Sequence, residues 1–152
     1  MELKFTCPGL PDGGVFPPEN TGRGADISPE IVIENMSPKA KTLAVTLEDL
    51  SHPIRGFTHW VIWNIPAAER VCGAIPPGKR VPALGDAVQG AAYGWHRYAG
   101  PKPPRGRKHI YRLSVYALDT PINLGPNAGK RAFLRAAQGH LLQKGSLTAA
   151  FG

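Results

Sequence analysis

Proline and glycine interrupt this chain so often that long helices have almost nowhere to form. Sixteen prolines and eighteen glycines are spread over 152 residues. They fall in clusters such as CPGLPDGG (7–14), FPPEN (16–20) and TGRGADISPE (21–30). Proline fixes φ and removes a donor, and glycine supplies turns, so this punctuation favours many short strands joined by loops. The length suits one domain spanning 1–152, and a hydrophobic fraction of 42% is enough for a packed core.

Three runs read as strands. KTLAVTLED (41–49) alternates, with Leu43, Val45 and Leu47 on one side, which predicts a half-buried strand. HWVIWNIP (59–66) is apolar on both faces until Asn64, as a doubly covered central strand would be, and Pro66 ends it. HIYRLSVYAL (109–118) places Tyr111, Leu113, Val115 and Ala117 on one face. Phe133, Ala137 and Leu141 recur at helical spacing and predict a helix over 129–143, with SLTAAF (146–151) as a last strand. Residues 67–108 read as one long irregular region. The expected class is mainly β, with a late helix.

The net charge of +7 suits nucleic acid, an anionic membrane surface or a small anionic ligand. The basic residues are scattered from Lys4 to Lys144, so charge alone selects none of these. Cys7 and Cys72 have no paired spacing, and nothing demands an oxidising compartment. No window resembles a signal peptide or a transmembrane segment, so a cytoplasmic protein is expected.

Candidate chemistry gathers at the strand ends. Asp49 closes one strand and His59 opens the next, and antiparallel pairing would bring them to one end of the sheet. Alternation groups Asp49 with Leu43, Val45 and Leu47, His59 with Val61 and Trp63, and His109 with Tyr111 and Leu113. Two imidazoles and a phenol offer donors to an anion, and a carboxylate can fix the histidine tautomers. The loop GPKPPRGRK (100–108) precedes His109. Its prolines are stiff, and the backbone N–H groups around Gly100 are expected to supply further donors.

These residues also carry a family resemblance. ISP (27–29), KTLAVTLED, the histidine of THWVIWNIP, GPKPPRGRKHIYRLSVYALD (100–119) and GHLLQKGSLTAAF (139–151) occur together, in order. The chain thereby resembles the phosphatidylethanolamine-binding proteins, in their bacterial Raf-kinase-inhibitor-like branch. The resemblance implies a two-sheet, largely antiparallel β fold with peripheral helices and a small pocket for phosphate-like groups. On its motifs, Asp49 matches the first aspartate of D-P-D-x-P and His59 the histidine that opens the next strand. Gly100 and Pro101 match the start of G-P-x-P-P, and His109 and Tyr111 match the following H-x-Y. The chain departs from the pattern at Ser51, which replaces the second acidic residue, and at Lys102, where the loop usually has cysteine. GDAVQGAAYGWHRYAG (85–100) stands in place of an N-D-F-like stretch.

The resulting expectation is a binding protein, not an enzyme, for a small anionic or phosphorylated ligand. Its predicted ligand contacts are Asp49, His59, Gly100, Pro101, His109 and Tyr111, with no cofactor and no metal. The resemblance further implies modulation of a partner kinase or protease, and a homodimer. Two alternatives stay open. An enzyme would use the Asp–His–His–Tyr cluster for acid–base chemistry or zinc ligation, although no activated nucleophile is visible. A nucleic-acid binder would use Lys102, Arg105, Arg107 and Lys108, with Trp95 and Tyr98 for stacking. No RNA-binding motif accompanies them, and the basic cluster reads instead as a solvated rim. Trp60 and Trp63 are expected in the core, His140 packed in the helix, and His52 solvated.

Overall fold

The computed structural model describes residues 1–152. A six-stranded antiparallel sheet is built from β3 (Thr42–Asp49), β4 (Phe57–Pro66), β6 (Arg80–Val81), β7 (Ala87–Gln89), β8 (His109–Leu118) and β9 (Leu141–Phe151), in the order β6-β7-β4-β3-β8-β9. A smaller antiparallel sheet holds β1 (Phe5–Thr6), β2 (Ile31–Ile33) and β5 (Arg70–Val71), in the order β1-β2-β5. The mainly β class expected from the punctuation forms, and so does the two-sheet antiparallel arrangement that the family resemblance implies.

Both faces of the large sheet are covered. Leu43, Val45, Leu47, Trp60, Ile62, Leu113 and Val115 pack against Ile31, Ile33 and Val71 of the small sheet in the main core. On the opposite face Ala44, Val61, Trp63 and Tyr116 pack against Ile122 and against Phe133 of the single α-helix, α1 (Lys130–Ala136). Double coverage explains why all eight residues of β3 are buried, where alternation had predicted a half-buried strand. Its polar positions are absorbed by local pairing, as when the Thr46 hydroxyl meets Tyr116 Oη at 3.3 Å.

The helix is shorter than its periodicity predicts. Phe133 and Ala137 are buried as expected, but Gly139 takes a φ of +82°, and Leu141 already belongs to β9. The helix closes at Ala136 into a tight turn, and the left-handed Gly139 in that turn redirects the chain into β9. His140 therefore lies in the turn beyond the helix and hydrogen-bonds exposed Asp119 at 3.0 Å. Residues 67–108 contain β5, β6 and β7, strands of two or three residues that are too short to leave an alternation. No helix is long and apolar enough to cross a membrane.

Candidate functional site

Strand pairing carries Asp49, Tyr111 and His109 to one end of the large sheet. Asp49 stands opposite Tyr111 of β8 on one side and opposite Phe57 of β4 on the other. Between β3 and β4 the register slips: Leu47 faces Trp60, whereas Glu48 faces Thr58. His59 is the extra residue of that β-bulge. Simple alternation had grouped it with Val61 and Trp63, which face the helix-covered side. The bulge turns His59 toward the Asp49 side instead, a common use of bulges beside binding sites.

Each imidazole is held by its Nδ1 atom. His109 Nδ1 meets Asp49 Oδ2 at 2.7 Å, and His59 Nδ1 donates to the Ala99 carbonyl at 2.8 Å. The other Asp49 oxygen accepts the Ser51 backbone N–H at 2.9 Å. These contacts fix ring orientation and leave both Nε2 atoms uncommitted. No group of three or more His, Cys, Asp or Glu side chains is arranged to hold a metal ion.

These residues line a cavity of about 460 Å³ together with Arg23, His52, Phe57, Tyr93, Lys102, Pro103 and Pro104. One wall is aromatic: the His52 ring stacks on Phe57 at 3.9 Å, and His59 lies 4.9 Å from Tyr93 and 5.5 Å from Tyr111. The other wall is basic and proline-rich. Arg23 is pinned there by a 2.8 Å hydrogen bond to the Pro103 carbonyl.

Tyr111 is the distinctive member. Its hydroxyl is the one buried side-chain polar atom in the chain without a hydrogen-bond partner. Burial, reinforced by the Asp49 charge, raises its pKa far above the usual tyrosine range; the nearby Lys102 backbone N–H, short of hydrogen-bond geometry, opposes this only weakly, and the phenol proton stays without an acceptor. Burial also holds the His59 imidazole below its ordinary range, although the Ala99 carbonyl and the Asp49 charge favour its proton. A neutral His59 can therefore gain a proton when an anion arrives.

Gly100 and Pro101 do not line this cavity; Gly100 lines an adjoining hollow instead. The Gly100 N–H donates to Asp26 Oδ1 at 2.7 Å, so it is not among the donors offered to a ligand, contrary to the sequence-based expectation. A Cβ at Gly100 would come within 2.3 Å of the Asn20 carbonyl, which makes glycine necessary for packing. The Pro101 carbonyl accepts the Gly22 N–H at 2.9 Å. The segment serves His59 indirectly, because Ala99 is the residue that orients its ring.

The sequence of residues 7–152 matches the profile of the phosphatidylethanolamine-binding protein family. The chain belongs to this family. It is 39% identical to a UPF0098 protein of Pyrococcus horikoshii over 87% of this chain and 68% of that one. It is 31% identical to the UPF0098 protein YbhB of Escherichia coli, over 98% and 99% of the two chains. The crystal structure of a phosphatidylethanolamine-binding protein homologue from Chlamydia trachomatis superposes with a TM-score of 0.86 at 25% identity, covering 99% and 97% of the chains.

Against the family pattern, Ser51 has a definite local role. Its hydroxyl accepts the Ile110 N–H at 2.9 Å and so ties the loop after β3 to the start of β8. Lys102, Arg105, Arg107 and Lys108 are all exposed, and of the four only Lys102 lines the cavity. The basic cluster is thus solvated throughout, and its first member borders the cavity. Tyr98, expected as a stacking ring for nucleic acid, is 3% exposed and donates its hydroxyl to the Asn20 carbonyl. His96 and Arg97 are held by Gln89 and Asp26 respectively, outside the cavity.

Sequence reasoning missed Arg23, His52, Phe57 and Tyr93. Arg23 sits among glycines with no local signal. The bulge that aligns Phe57 with Asp49 is invisible to residue counting, and with Phe57 goes the stacked His52. Tyr93 had one: Tyr-Gly between Ala92 and Trp95 is an unusual two-residue turn.

Proposed function

We propose that this chain binds a small anion bearing phosphate-like oxygens in the cavity between β3, β4 and β8. The observation that carries this reading is the orphan Tyr111 hydroxyl. A buried donor without an acceptor is costly, and an anionic oxygen would relieve that cost with a charge-assisted hydrogen bond. His59 and His109 supply Nε2–H donors when protonated, Arg23 and Lys102 supply permanent charge, and Asp49 orients His109. Gly100 and Pro101 act through the wall they hold and through neighbouring Ala99.

Binding is favoured over catalysis because the cavity lacks an activated nucleophile. Its hydroxyls are the phenols of Tyr93 and Tyr111, neither an alcohol paired with a general base in a nucleophile–base arrangement, and burial opposes ionisation of Tyr111. The Cys7 thiol is buried, with its pKa pushed up to about 12, and Cys72 is not among the cavity residues. Any modulation of a kinase or protease would, in this reading, follow from ligand occupancy. Crystals grown with phosphate test the site directly. Tetrahedral density within hydrogen-bond distance of Tyr111, His59 and His109 is expected, and ordered phosphate found only elsewhere would overturn the assignment.

A further inference from the structure

Ala92 to Trp95 forms a tight hairpin turn, with Ala92 N–H bonded to the Trp95 carbonyl at 3.1 Å and Trp95 N–H to the Ala92 carbonyl at 2.8 Å. Its two central residues both have positive φ, +54° at Tyr93 and +75° at Gly94. Such turns strongly prefer Asn-Gly or Asp-Gly, because a side chain in the left-handed region is strained unless it is short and polar. Four other non-glycine residues have positive φ, namely Asp26, Asn64, Ala74 and Asp86; none is bulky.

Packing against Phe57 and His59 covers only part of the tyrosine at this position. Tyr93 is 43% exposed and its neighbour Trp95 45%. The turn tip itself is open, since a Cβ on Gly94 would meet nothing within 4 Å. Strain retained by an exposed residue points to a use for its side chain.

The surroundings indicate what that use is. Tyr93 and Lys102 are shared between the 460 Å³ cavity and an adjoining hollow of about 230 Å³ that Trp95 and Arg97 help to line. Tyr93 stacks on Trp95 at 5.1 Å, and the Arg97 guanidinium lies 4.0 Å over the indole, bracing it. The cavity alone falls within the range that holds a whole small organic ligand, well beyond what a bare phosphate needs.

Resting on the anion-binding reading above, we infer that the Tyr93–Gly94 turn is a specificity element that selects phosphates carrying a planar aromatic group. The anion would meet Tyr111 and the histidines, and the ring would lie against Tyr93 and Trp95. Aromatic contacts of this kind are worth roughly three- to tenfold in affinity.

The test is a set of calorimetric titrations of the full chain with inorganic phosphate, glycerol 3-phosphate, phenyl phosphate and adenosine monophosphate. Phenyl phosphate or the nucleotide is expected to bind roughly three- to tenfold more tightly than glycerol 3-phosphate. Which of the two leads distinguishes a simple aryl ester from a nucleotide. Tyr93→Asn keeps a residue suited to the turn and should bring that ratio close to one, while Tyr93→Phe should preserve it. Equal affinities for aryl and alkyl phosphates in the unaltered chain would overturn the inference and leave anion binding standing. A Tyr93→Asn variant that weakens all ligands by one factor would show a merely structural role and also overturn it. Failure to bind any of the four would remove both this inference and the reading beneath it.

Discussion

Glu48 and Asp49 are consecutive buried carboxylates on β3, 6% and 3% exposed, and they face opposite sides of the same sheet. Glu48 is saturated with cations: Arg112 reaches one oxygen at 2.6 Å and Lys130 of α1 reaches the other at 2.5 Å. Asp49 receives a histidine and a backbone amide, while Arg23 and Lys102 line the same cavity without pairing to any carboxylate. One residue apart, the sheet thus holds a closed charge cluster and an open one. The closed cluster ties helix to sheet. The open cluster keeps more donors than its own acceptors can use, as an anion site requires.

Substitutions on the two faces should separate stability from binding. Glu48→Ala leaves Lys130 and Arg112 without their anion. Full removal of one partner from a buried pair costs about 3–5 kcal/mol, and the partial exposure of Arg112 places this case near about 3 kcal/mol. Urea unfolding reads that loss, and anion affinity should be unchanged. A Glu48→Ala protein of undiminished stability would break the comparison.

On the open side, His59→Gln retains a donor for Ala99 but removes a cation from the cavity. Sulfate affinity should fall by roughly tenfold, the scale of one charge-assisted hydrogen bond, with little change in unfolding. Affinity of the unaltered protein for sulfate should also rise as pH falls. Burial lowers the pKa of free His59, and bound sulfate favours its protonated form. A pH-independent affinity would remove His59 from the site.

Acid should weaken the closed cluster. The Glu48 pKa lies below its ordinary 4.5, because hydrogen bonds and charge from Lys130 and Arg112 outweigh the opposing effect of burial. Its contribution is present above pH 4.5 and lost as pH falls through the lowered folded value. The stability gap between the unaltered protein and Glu48→Gln should therefore narrow in that acid range. A gap that widens there contradicts the assignment.

The smallest expected effect is the most telling about the open side. Tyr111→Phe removes a buried hydroxyl that has no partner, so stability should hold or rise by up to about 1 kcal/mol. Sulfate affinity should fall by a few-fold. A clear loss of stability would mean that the hydroxyl is satisfied within the protein.

What was readable in the sequence follows the same division. β8 was bounded correctly because ten alternating residues leave an unambiguous period. The closing helix was overdrawn because Phe133 and Ala137 keep helical spacing up to the point where Gly139 reverses the backbone. Asp49, His109 and Tyr111 could be brought together by strand pairing alone. His59 reaches them through a bulge, which depends on cross-strand register and leaves no mark in the residue order. The cavity's cations and most of its aromatic wall come from loops folded back from distant sequence, where periodicity has nothing to say.

The central claim is that the open cluster accepts an anion. Its most direct test is an NMR titration of the histidine rings with sulfate at mildly acidic pH. His59 and His109 should shift together along one saturating curve, while His140, paired with Asp119 on the surface, stays still. No movement of either cavity ring into the millimolar range of sulfate would contradict the account.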